Sequence, residues 1–387
     1  MTKPTGYRSA KLTVGCKEPN KDHDSVINTT QILVLGAGIG GCIAALALAP
    51  FYSVVLVDLH SVPKDRVGEC LAPAAGRILH KLRLSQLLHQ GHLVSHGLLS
   101  YWGSETPKVV DQLVNPDGHG WHLDRQLFEQ QLRDVAQMRG VSCFWPAAFI
   151  QSKQQAEGWC VELQHESQRT EVHCQLVIDA TGRHSRFARS LAISRHNLDQ
   201  QLSVWLTAEV KVRKHISVLS SAAMGWWYSA PLPKLPFAAK NMSQSDGSEG
   251  QARLFALQIQ PGQLDKSLSQ SSHCFLKAAA EAPGLGTLVQ QIVPGTEQLH
   301  ELVAANSSKL SVGCGTGWFA IGDAAMSFDP LSSQGIFNAM ATAMQLADLL
   351  IEHGLHHHST VALYQAQLDS IWQHYLQHRK HFYALVG

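Results

Sequence analysis

The order of apolar and polar positions in residues 31–58 predicts a strand, a turn, a helix and a second strand. Residues 31–35 form a short apolar run that stops at a glycine-rich turn over residues 36–41. Small apolar residues follow at 42–49 and end at a proline, and residues 53–58 form a second apolar run. Apolar runs of this length bounded by glycine are typical of buried strands, and the small-residue stretch is typical of a buried helix. Together they predict one right-handed βαβ unit.

Similar patterns continue along the chain. Apolar residues at helical spacing predict helices at residues 77–90, 125–139 and 334–352. Apolar, β-branched and aromatic runs predict strands at residues 149–150, 159–163, 172–174, 176–179, 202–212, 225–230, 253–260 and 318–322. A polar stretch rich in Ser and Gly, residues 240–250, predicts a loop.

Composition narrows the class of protein. The 387 residues are 45% hydrophobic and 16% charged with a net charge of +1, so no strong field favours nucleic acid or a membrane surface as a partner. The eight cysteines include no C-x-x-C pair, which indicates reduced thiols in a cytoplasmic protein. The polar residues 1–29 are expected to be a disordered tail rather than a signal peptide. The sequence contains no uninterrupted apolar window of about 18 residues, so it predicts no membrane span.

The glycine turn carries the first candidate chemistry. Gly36, Gly38 and Gly41 have the G-x-G-x-x-G spacing, in which the first glycine makes the turn, the second admits a pyrophosphate and the third lets the helix pack on the strand. Asp58 ends the second strand, where a carboxylate accepts both ribose hydroxyls of an adenosine and disfavours NADP. An ordinary βαβ unit with incidental glycines is the alternative, and this unit alone does not separate NAD from FAD.

A longer motif lies near the other end of the sequence. Residues 317–335 contain Gly-Asp-Ala-Ala, with Asp323, then Asp-Pro, with Pro330, and Gly335 at the start of a predicted helix. This segment resembles the FAD-binding segment of the aromatic-hydroxylase and flavin-dependent-halogenase superfamily. The resemblance implies that Asp323 holds ribityl hydroxyls of FAD and that backbone N–H groups near Gly335 stabilise negative charge on the reduced flavin.

Three further segments are similar to motifs of the same superfamily. Glu69 and Cys70 stand in its Gly-Glu-Ser-x-x-Pro segment, with Cys70 in place of the serine. Arg125 follows Asp124 in its Asp-Arg-x-x-Phe helix start, and Asp179 and Gly182 belong to its Asp-Ala-Thr-Gly segment. The resemblance implies that all five residues other than the helix-capping Asp124 contribute to binding FAD.

The resemblance also implies the fold class and the domains. We expect an α/β fold with a Rossmann-like FAD-binding domain interleaved with an antiparallel-sheet substrate domain, followed by a C-terminal helical segment. The predicted FAD-binding domain comprises residues 30–92, 120–200 and 311–352. The predicted substrate domain comprises residues 93–119 and 201–310, and residues 353–387 form the C-terminal helix.

Halogenation is not expected. Flavin-dependent tryptophan halogenases of the superfamily carry an essential lysine after the Gly-Glu segment and a glutamate before the glycine of the last helix. The corresponding residues 94–102 and 331–335 contain neither, and the Trp-x-Trp-x-Ile-Pro signature is absent.

Three weaker motifs resemble a smaller branch, the LodB- and GoxB-type flavoproteins that modify quinoprotein amino-acid oxidases. They lie at residues 99–104, 225–233 and 375–383. This resemblance implies an FAD-dependent monooxygenase that oxygenates a tryptophan side chain of an oxidase precursor during biogenesis of cysteine tryptophylquinone. The implied partners are that precursor and a reductant, either NAD(P)H or a separate reductase.

Candidate catalytic residues follow from the same resemblance. Trp226, Trp227 and Tyr228 are expected to line the substrate pocket, although an aromatic core of the sheet is an equal alternative. His96 is the candidate proton acceptor, with a structural histidine as the alternative. Pro330 completes the set from the loop that closes over the flavin, and we expect no metal site.

Two other functions remain open at this point. The first is hydroxylation or epoxidation of a free small aromatic or isoprenoid molecule. The second is a non-catalytic, FAD-containing assembly factor that binds the precursor without oxidising it.

Overall fold

The computed structural model describes residues 29–111, 115–235 and 250–386. The predicted tail, apart from its last residue, and most of the predicted loop 240–250 therefore lie outside the described residues. The helices are α1 (Ile39–Leu48), α2 (Ala75–Lys81), α3 (Arg125–Met138), α4 (Arg186–Ser190), α5 (Lys266–Gln270), α6 (Ser272–Glu281), α7 (Gly286–Val289), α8 (Gly335–His353) and α9 (His358–Tyr383). Within the ranges described, no helix has the length and hydropathy needed to cross a membrane.

The strands belong to two large and two small sheets. In the first half of the chain they are β1 (Thr29–Leu35), β2 (Val54–Val57), β3 (Cys70–Leu71), β4 (Leu93–Ser95), β5 (Gly97–Tyr101), β6 (Lys108–Asp111), β7 (Gly120–His122), β8 (Ser142–Phe144), β9 (Ala147–Gln155), β10 (Gly158–His165) and β11 (Gln168–Asp179). In the second half they are β12 (Arg195–Asn197), β13 (Leu202–Val210), β14 (Ser217–Ala222), β15 (Gly225–Pro231), β16 (Gln251–Ile259), β17 (Gln298–Leu299), β18 (Val303–Ala304), β19 (Ser308–Leu310), β20 (Cys314–Gly315), β21 (Trp318–Ala320) and β22 (Met326–Ser327).

The first large sheet is built around the predicted βαβ unit. Its order is β20-β21-β11-β1-β2-β8, and β8, β2, β1, β11 and β21 run parallel. The strand β10 extends it by antiparallel pairing to the first half of β11, and β9 pairs antiparallel with β10. Both faces are covered, since α1, α3, α8 and α9 bury their apolar residues with this sheet in one core. That double burial explains why its parallel strands are continuous apolar runs.

The second large sheet is mainly antiparallel, with the order β17-β13-β16-β15-β14-β5-β6. One face packs on α5, α6 and α7 through Leu268, Phe275 and Leu288. The other face carries Trp205, Leu254 and Ala256 and turns toward the carboxyl ends of the first sheet's strands, where the cavity described below lies. The two small sheets are β3-β7-β4 and β12-β19-β22.

This architecture confirms the predicted fold class, while several elements differ from prediction. The helix predicted at 77–90 ends at Lys81, because Arg83 has a left-handed φ of 55° and a 3-10 turn follows at Ser85–His89. The strands predicted at 172–174 and 176–179 are one strand, β11, whose first half pairs with β10 and whose second half pairs with β1. The helices α5, α6 and α7 were not predicted.

Candidate functional site

The glycine turn after β1 is held by close backbone packing. Gly36 has φ +106°, and a side chain there would collide with the backbone of Ala180. A side chain on Gly41 would collide with the carbonyl of Gly36, so α1 approaches the strand only because residue 41 is glycine. Gly38 differs, because a Cβ at this position would meet nothing within 4 Å. The chain's own packing therefore explains Gly36 and Gly41 but leaves open space at Gly38.

Asp58 lies beside this turn, and its carboxylate already accepts hydrogen bonds from backbone N–H groups of the protein. Its Oδ2 accepts a hydrogen bond from the Ala37 N–H at 2.7 Å, and its Oδ1 accepts one from the His60 N–H at 2.9 Å. The buried Arg133 places Nη2 3.1 Å from Asp58 Oδ1 and donates from Nε to the Ala37 carbonyl at 3.0 Å. Sequence reasoning missed Arg133, although it lies two turns after Arg125 on the same helix, a spacing that puts both on one face.

Glu69 and Tyr228 form a buried polar contact. Tyr228 Oη donates to Glu69 Oε1 at 3.0 Å, and His122 Nδ1 lies 3.9 Å from the same oxygen. Burial opposes the charge of Glu69, but contacts with His122 and Tyr228 outweigh it, so the pKa of Glu69 lies below its usual value. Burial, together with Glu69, raises the pKa of Tyr228 well above its usual value. At neutral pH the pair is thus a carboxylate that accepts a hydrogen bond from a neutral phenol.

Cys70 follows Glu69 and has a protonated thiol. Burial and the neighbouring Glu69 carboxylate raise the pKa of Cys70 to about 12. The strand β3, which carries Cys70, pairs with β7 so that Cys70 lies opposite His122. Because the thiolate is the reactive form, Cys70 is not a nucleophile at neutral pH.

Arg125 begins α3 and faces the same region. Its Nη1 donates to the Gly68 carbonyl at 2.5 Å, and its Nη2 donates to the buried Glu129 at 2.7 Å. Asp124 caps the helix by accepting a hydrogen bond from the Leu127 N–H at 3.0 Å, as the sequence predicted for a helix start. The buried Nε–H of Arg125 has no hydrogen-bond acceptor among the described residues.

The segment between β21 and α8 supplies the opposite wall. Asp323 is partly exposed and lies 3.7 Å from Arg183 Nε. Asp329 is buried, accepts a hydrogen bond from Tyr383 Oη at 2.6 Å, and caps the 3-10 turn begun by Pro330. The helix α8 then starts at Gly335 with no side-chain cap on its N–H groups, so the positive end of the helix dipole is free.

These elements enclose a cavity of about 300 Å³ between the two large sheets. The structure brings eight of the candidate residues to its wall, and they are Glu69, Cys70, Arg125, Trp226, Tyr228, Asp323, Pro330 and Gly335. The rest of the wall is largely apolar and includes Leu254, Ala256 and Val303. We call this space the inner cavity.

Four candidate residues lie elsewhere. Trp227 is on the opposite face of β15 from Trp226 and Tyr228 and packs on Phe275 with ring centroids 5.0 Å apart, because strand residues alternate between faces. His96 is exposed between β4 and β5, with its ring beside that of His215. Asp179 is fully buried and accepts hydrogen bonds from Thr181 and from the Ala188 N–H, so it holds the start of α4. Gly182, which has φ +66°, opens the 3-10 turn after β11.

Three short motifs that are far apart in sequence meet at one edge of the inner cavity. Trp102 lies with its ring centroid 6.3 Å from that of Trp226 and 5.9 Å from that of Tyr383. The Nε1–H of Trp226 donates to Tyr383 Oη at 3.1 Å. Beyond Trp226 lies a second, more open cavity of about 560 Å³, which we call the outer cavity.

Comparison with protein families decides the cofactor. The family model described as an FAD binding domain matches residues 29–361. The chain belongs to the FAD-binding-domain family. Its predicted cofactor, FAD, is thereby confirmed, and so is the prediction of a flavin-dependent oxidoreductase.

Relatives and solved structures with the same fold include proteins that act on different substrates. The chain is 24% identical over 353 residues to the putative FAD-dependent oxidoreductase LodB of Marinomonas mediterranea, covering 89% of each chain. It matches the structure of CmlS, a flavin-dependent halogenase, with a TM-score of 0.79 and 20% identity, covering 92% of this chain and 65% of that one. It matches the peptidyl tryptophan dihydroxylase QhpG, essential for tryptophylquinone cofactor biogenesis, with a TM-score of 0.70 and 20% identity, covering 92% and 75%.

The residues present fit the cofactor of an FAD-binding-domain protein. Open space at Gly38 and the start of α1, which lacks a side-chain cap, suit the approach of a pyrophosphate. The unpartnered Nε–H of Arg125 is a donor on the wall of the inner cavity, and the free N-terminus of α8 suits an anionic flavin ring. The wall between Arg125 and Gly335 is thus the expected place of the isoalloxazine.

Proposed function

We propose that this chain is an FAD-dependent monooxygenase that oxygenates a tryptophan side chain of a partner protein, the precursor of a quinoprotein amino-acid oxidase, during biogenesis of cysteine tryptophylquinone. The observation that carries the proposal is the inner cavity, which joins predicted FAD-binding residues, among them Arg125 and Gly335, to Trp226 and Tyr228 of the second sheet. The similarity to LodB and the shared fold with QhpG agree with it.

The proposal assigns a role to each side of the inner cavity. Reduced FAD, when bound, would supply the two electrons that activate O₂, so that one oxygen atom of O₂ enters the indole and the other leaves as water. Leu254, Ala256 and Val303 exclude water from the space where the indole reacts. Glu69, ionised and on the cavity wall, takes the proton that the indole ring releases, in place of His96, which is not among the residues that line the cavity. Tyr228 holds the Glu69 carboxylate in position through its 3.0 Å hydrogen bond.

The inner cavity also argues against halogenation. Among the described residues that line it, the basic side chains are Arg125 and Arg183, and there is no lysine. The enzyme supplied with reductant, O₂, bromide and an indole is therefore expected to form no brominated product.

Protein substrate and reductant complete the proposal. The outer cavity, which adjoins the inner one at Trp226, is open to the surface and gives a segment of another protein a route to the flavin. The electrons come from NAD(P)H or from a separate reductase.

The decisive experiment supplies the holoenzyme with a reductant and ¹⁸O₂ in the presence of the precursor of a quinoprotein amino-acid oxidase from the same organism. We expect the label on one tryptophan of the precursor, located by peptide mass spectrometry. Glu69→Gln is expected to lower the rate at least about a hundredfold while FAD remains bound. Glu157→Gln, an exposed residue of the turn between β9 and β10, serves as the matched control and should leave the rate unchanged.

Two other outcomes would change the assignment. An unlabelled precursor together with a labelled small aromatic compound would move the function to hydroxylation of a free molecule. A precursor that matures equally well with enzyme whose FAD cannot be reduced would make the chain an assembly factor.

A further inference from the structure

The outer cavity has an unusual lining. Its polar wall consists largely of side-chain amides, and no charged side chain lines it among the residues described. The rings of Trp102, Trp226 and Tyr383 form its aromatic wall, and the amides belong to Gln201, Gln258, Gln260 and Gln263. Such a lining suits an uncharged aromatic group attached to a peptide backbone, because amides both donate and accept hydrogen bonds.

Two residues belong to both cavities. Trp226 and Gln258 line the inner and the outer cavity and lie directly opposite each other on β15 and β16, on the face turned toward the flavin. A group that enters through the outer cavity therefore reaches the inner one past this pair.

Gln258 has an unused acceptor at this position. Its side chain is 5% exposed, and its Nε2 donates to Ser203 Oγ at 2.9 Å. Its buried Oε1 has no hydrogen-bond partner among the described residues. A buried acceptor without a partner lowers stability, and a ligand that donates a hydrogen bond to it removes this cost.

The neighbouring indole does not supply the missing donor. The Nε1–H of Trp226 is directed to Tyr383 Oη, and that of Trp102 donates to the Phe382 carbonyl at 2.8 Å. Both rings are thus fixed as walls, and Gln258 remains available for an incoming N–H.

We propose that the outer cavity binds the tryptophan-bearing segment of the partner protein and that Gln258 Oε1 accepts the hydrogen bond of the substrate's indole N–H. This inference rests on the proposed function and names the residue that selects the substrate. It makes Gln258 a specificity-determining residue, since phenylalanine has no donor and a charged side chain finds no counter-charge in the cavity.

The first test changes the ligand. N-acetyl-tryptophanamide is titrated into the oxidised holoenzyme, and binding is followed by calorimetry. Its 1-methyl analogue, which lacks the N–H, is expected to bind about three- to tenfold more weakly, the effect of one neutral hydrogen bond. In Gln258→Met, which keeps the length of the side chain without the acceptor, the two ligands are expected to bind equally.

The second test blocks the cavity. Ala223 lines the outer cavity and is exposed in the turn between β14 and β15, so Ala223→Trp is expected to weaken binding of N-acetyl-tryptophanamide at least about tenfold. Ala156→Trp is a matched control, because Ala156 is also an exposed first residue of a two-residue turn before a strand that begins with glycine. It should bind the ligand as the wild type does.

The results separate this inference from the proposed function. No binding of N-acetyl-tryptophanamide, equal binding of both ligands to the wild type, or unchanged binding to Ala223→Trp each overturns the inference. A dimer that only Ala223→Trp dissociates would assign the outer cavity to a second copy of the chain and overturn it as well. If binding behaves as expected while no oxygen enters any tryptophan, the proposed function fails and the binding site stands.

Discussion

Tyr383 joins three parts of the candidate site through one hydroxyl group. It receives the Trp226 N–H, donates to the buried Asp329 carboxylate, and lies with its ring 4.8 Å from the Arg379 guanidinium. A single side chain therefore helps to position three parts of the molecule. They are the wall between the two cavities, the loop between β22 and α8 that contains Asp329, and the end of α9.

Replacing Tyr383 with phenylalanine removes that hydroxyl and keeps the ring. We expect the free energy of unfolding to fall by about 1–3 kcal/mol, because a buried indole N–H and a buried carboxylate oxygen lose their partner. Urea denaturation measures the change. Tyr101→Phe serves as a control with an expected change within about 0.5 kcal/mol, and equal losses in both variants would contradict the role given to Tyr383.

Asp329 predicts a dependence of stability on pH. Burial raises its pKa above the usual value despite the contacts with Tyr383 and Arg379. The folded protein thus holds this proton more tightly than the unfolded chain, so the contribution of Asp329 is greatest at acid pH and is lost as pH rises through the folded pKa. Asp329→Asn cannot titrate, and its free energy of unfolding relative to wild type should increase from about pH 4 toward neutrality. Parallel denaturation curves across this range would refute the assignment.

Individual residues were predictable where a motif fixes their chemistry. Glu69, Arg125 and Asp323 could be located from the sequence because their neighbours form recognisable segments. Arg133 and Gln258 could not, since the importance of Arg133 comes from its contact with Asp58 and that of Gln258 from its position between the two cavities, and only folding creates both. Cofactor contact by Asp179 remains a proposal that its internal hydrogen bonds do not favour.

At the scale of elements, the turn between β1 and α1 allows two glycines to be compared. Gly41→Ala is expected to destabilise the protein, because its methyl group collides with the Gly36 carbonyl. Gly38→Ala has room and an ordinary φ of −77°, so we expect its free energy of unfolding without FAD to change by no more than about 1 kcal/mol. Its affinity for FAD should nevertheless fall at least about tenfold. Denaturation of the FAD-free proteins and titration with FAD measure the two effects, and normal FAD affinity in Gly38→Ala would contradict the position given to the pyrophosphate.

Elements could be predicted where a local sequence pattern determines them. The prediction failed where contacts between residues far apart in the sequence determine the element. The glycine turn, α3 and α8 begin within a few residues of their predicted starts because their signals are local. The strand β11 was divided in two because its apolar pattern changes where its partners change. Trp227 was expected at the pocket with Trp226 from the resemblance, with the core of the sheet as the alternative, and the alternation of a strand sends it to that core.

At the scale of the whole molecule, α9 packs the loop between β22 and α8 against the first sheet. Trp372 is buried between Phe328 and Tyr375, and Tyr375 Oη accepts the Asp329 N–H at 3.1 Å. Trp372→Ala is expected to lower the free energy of unfolding by about 3–5 kcal/mol through the cavity it creates. Chemical denaturation measures this loss, and the exposed Gln373→Ala provides the comparison, with an expected change within about 0.5 kcal/mol.

For the molecule as a whole, only the fold class could be predicted from the sequence. Separate apolar runs indicated one interrupted α/β domain, and the first sheet has that form. The meeting of Trp102, Trp226 and Tyr383, and with it the outer cavity, depends on contacts between the second large sheet and the end of α9, which no local pattern encodes.

The path of the chain between the sheets limits how the enzyme moves. It passes from a small sheet to the second large sheet after β4 and after β12, and it returns after β6 and after β18. A domain joined by one linker can rotate as a rigid body, whereas a domain connected by four chain segments resists such rotation. Substrate entry and product exit are therefore expected to proceed by rearrangement of side chains and short loops. Their rates should be those of local motion and not those of rotation between domains.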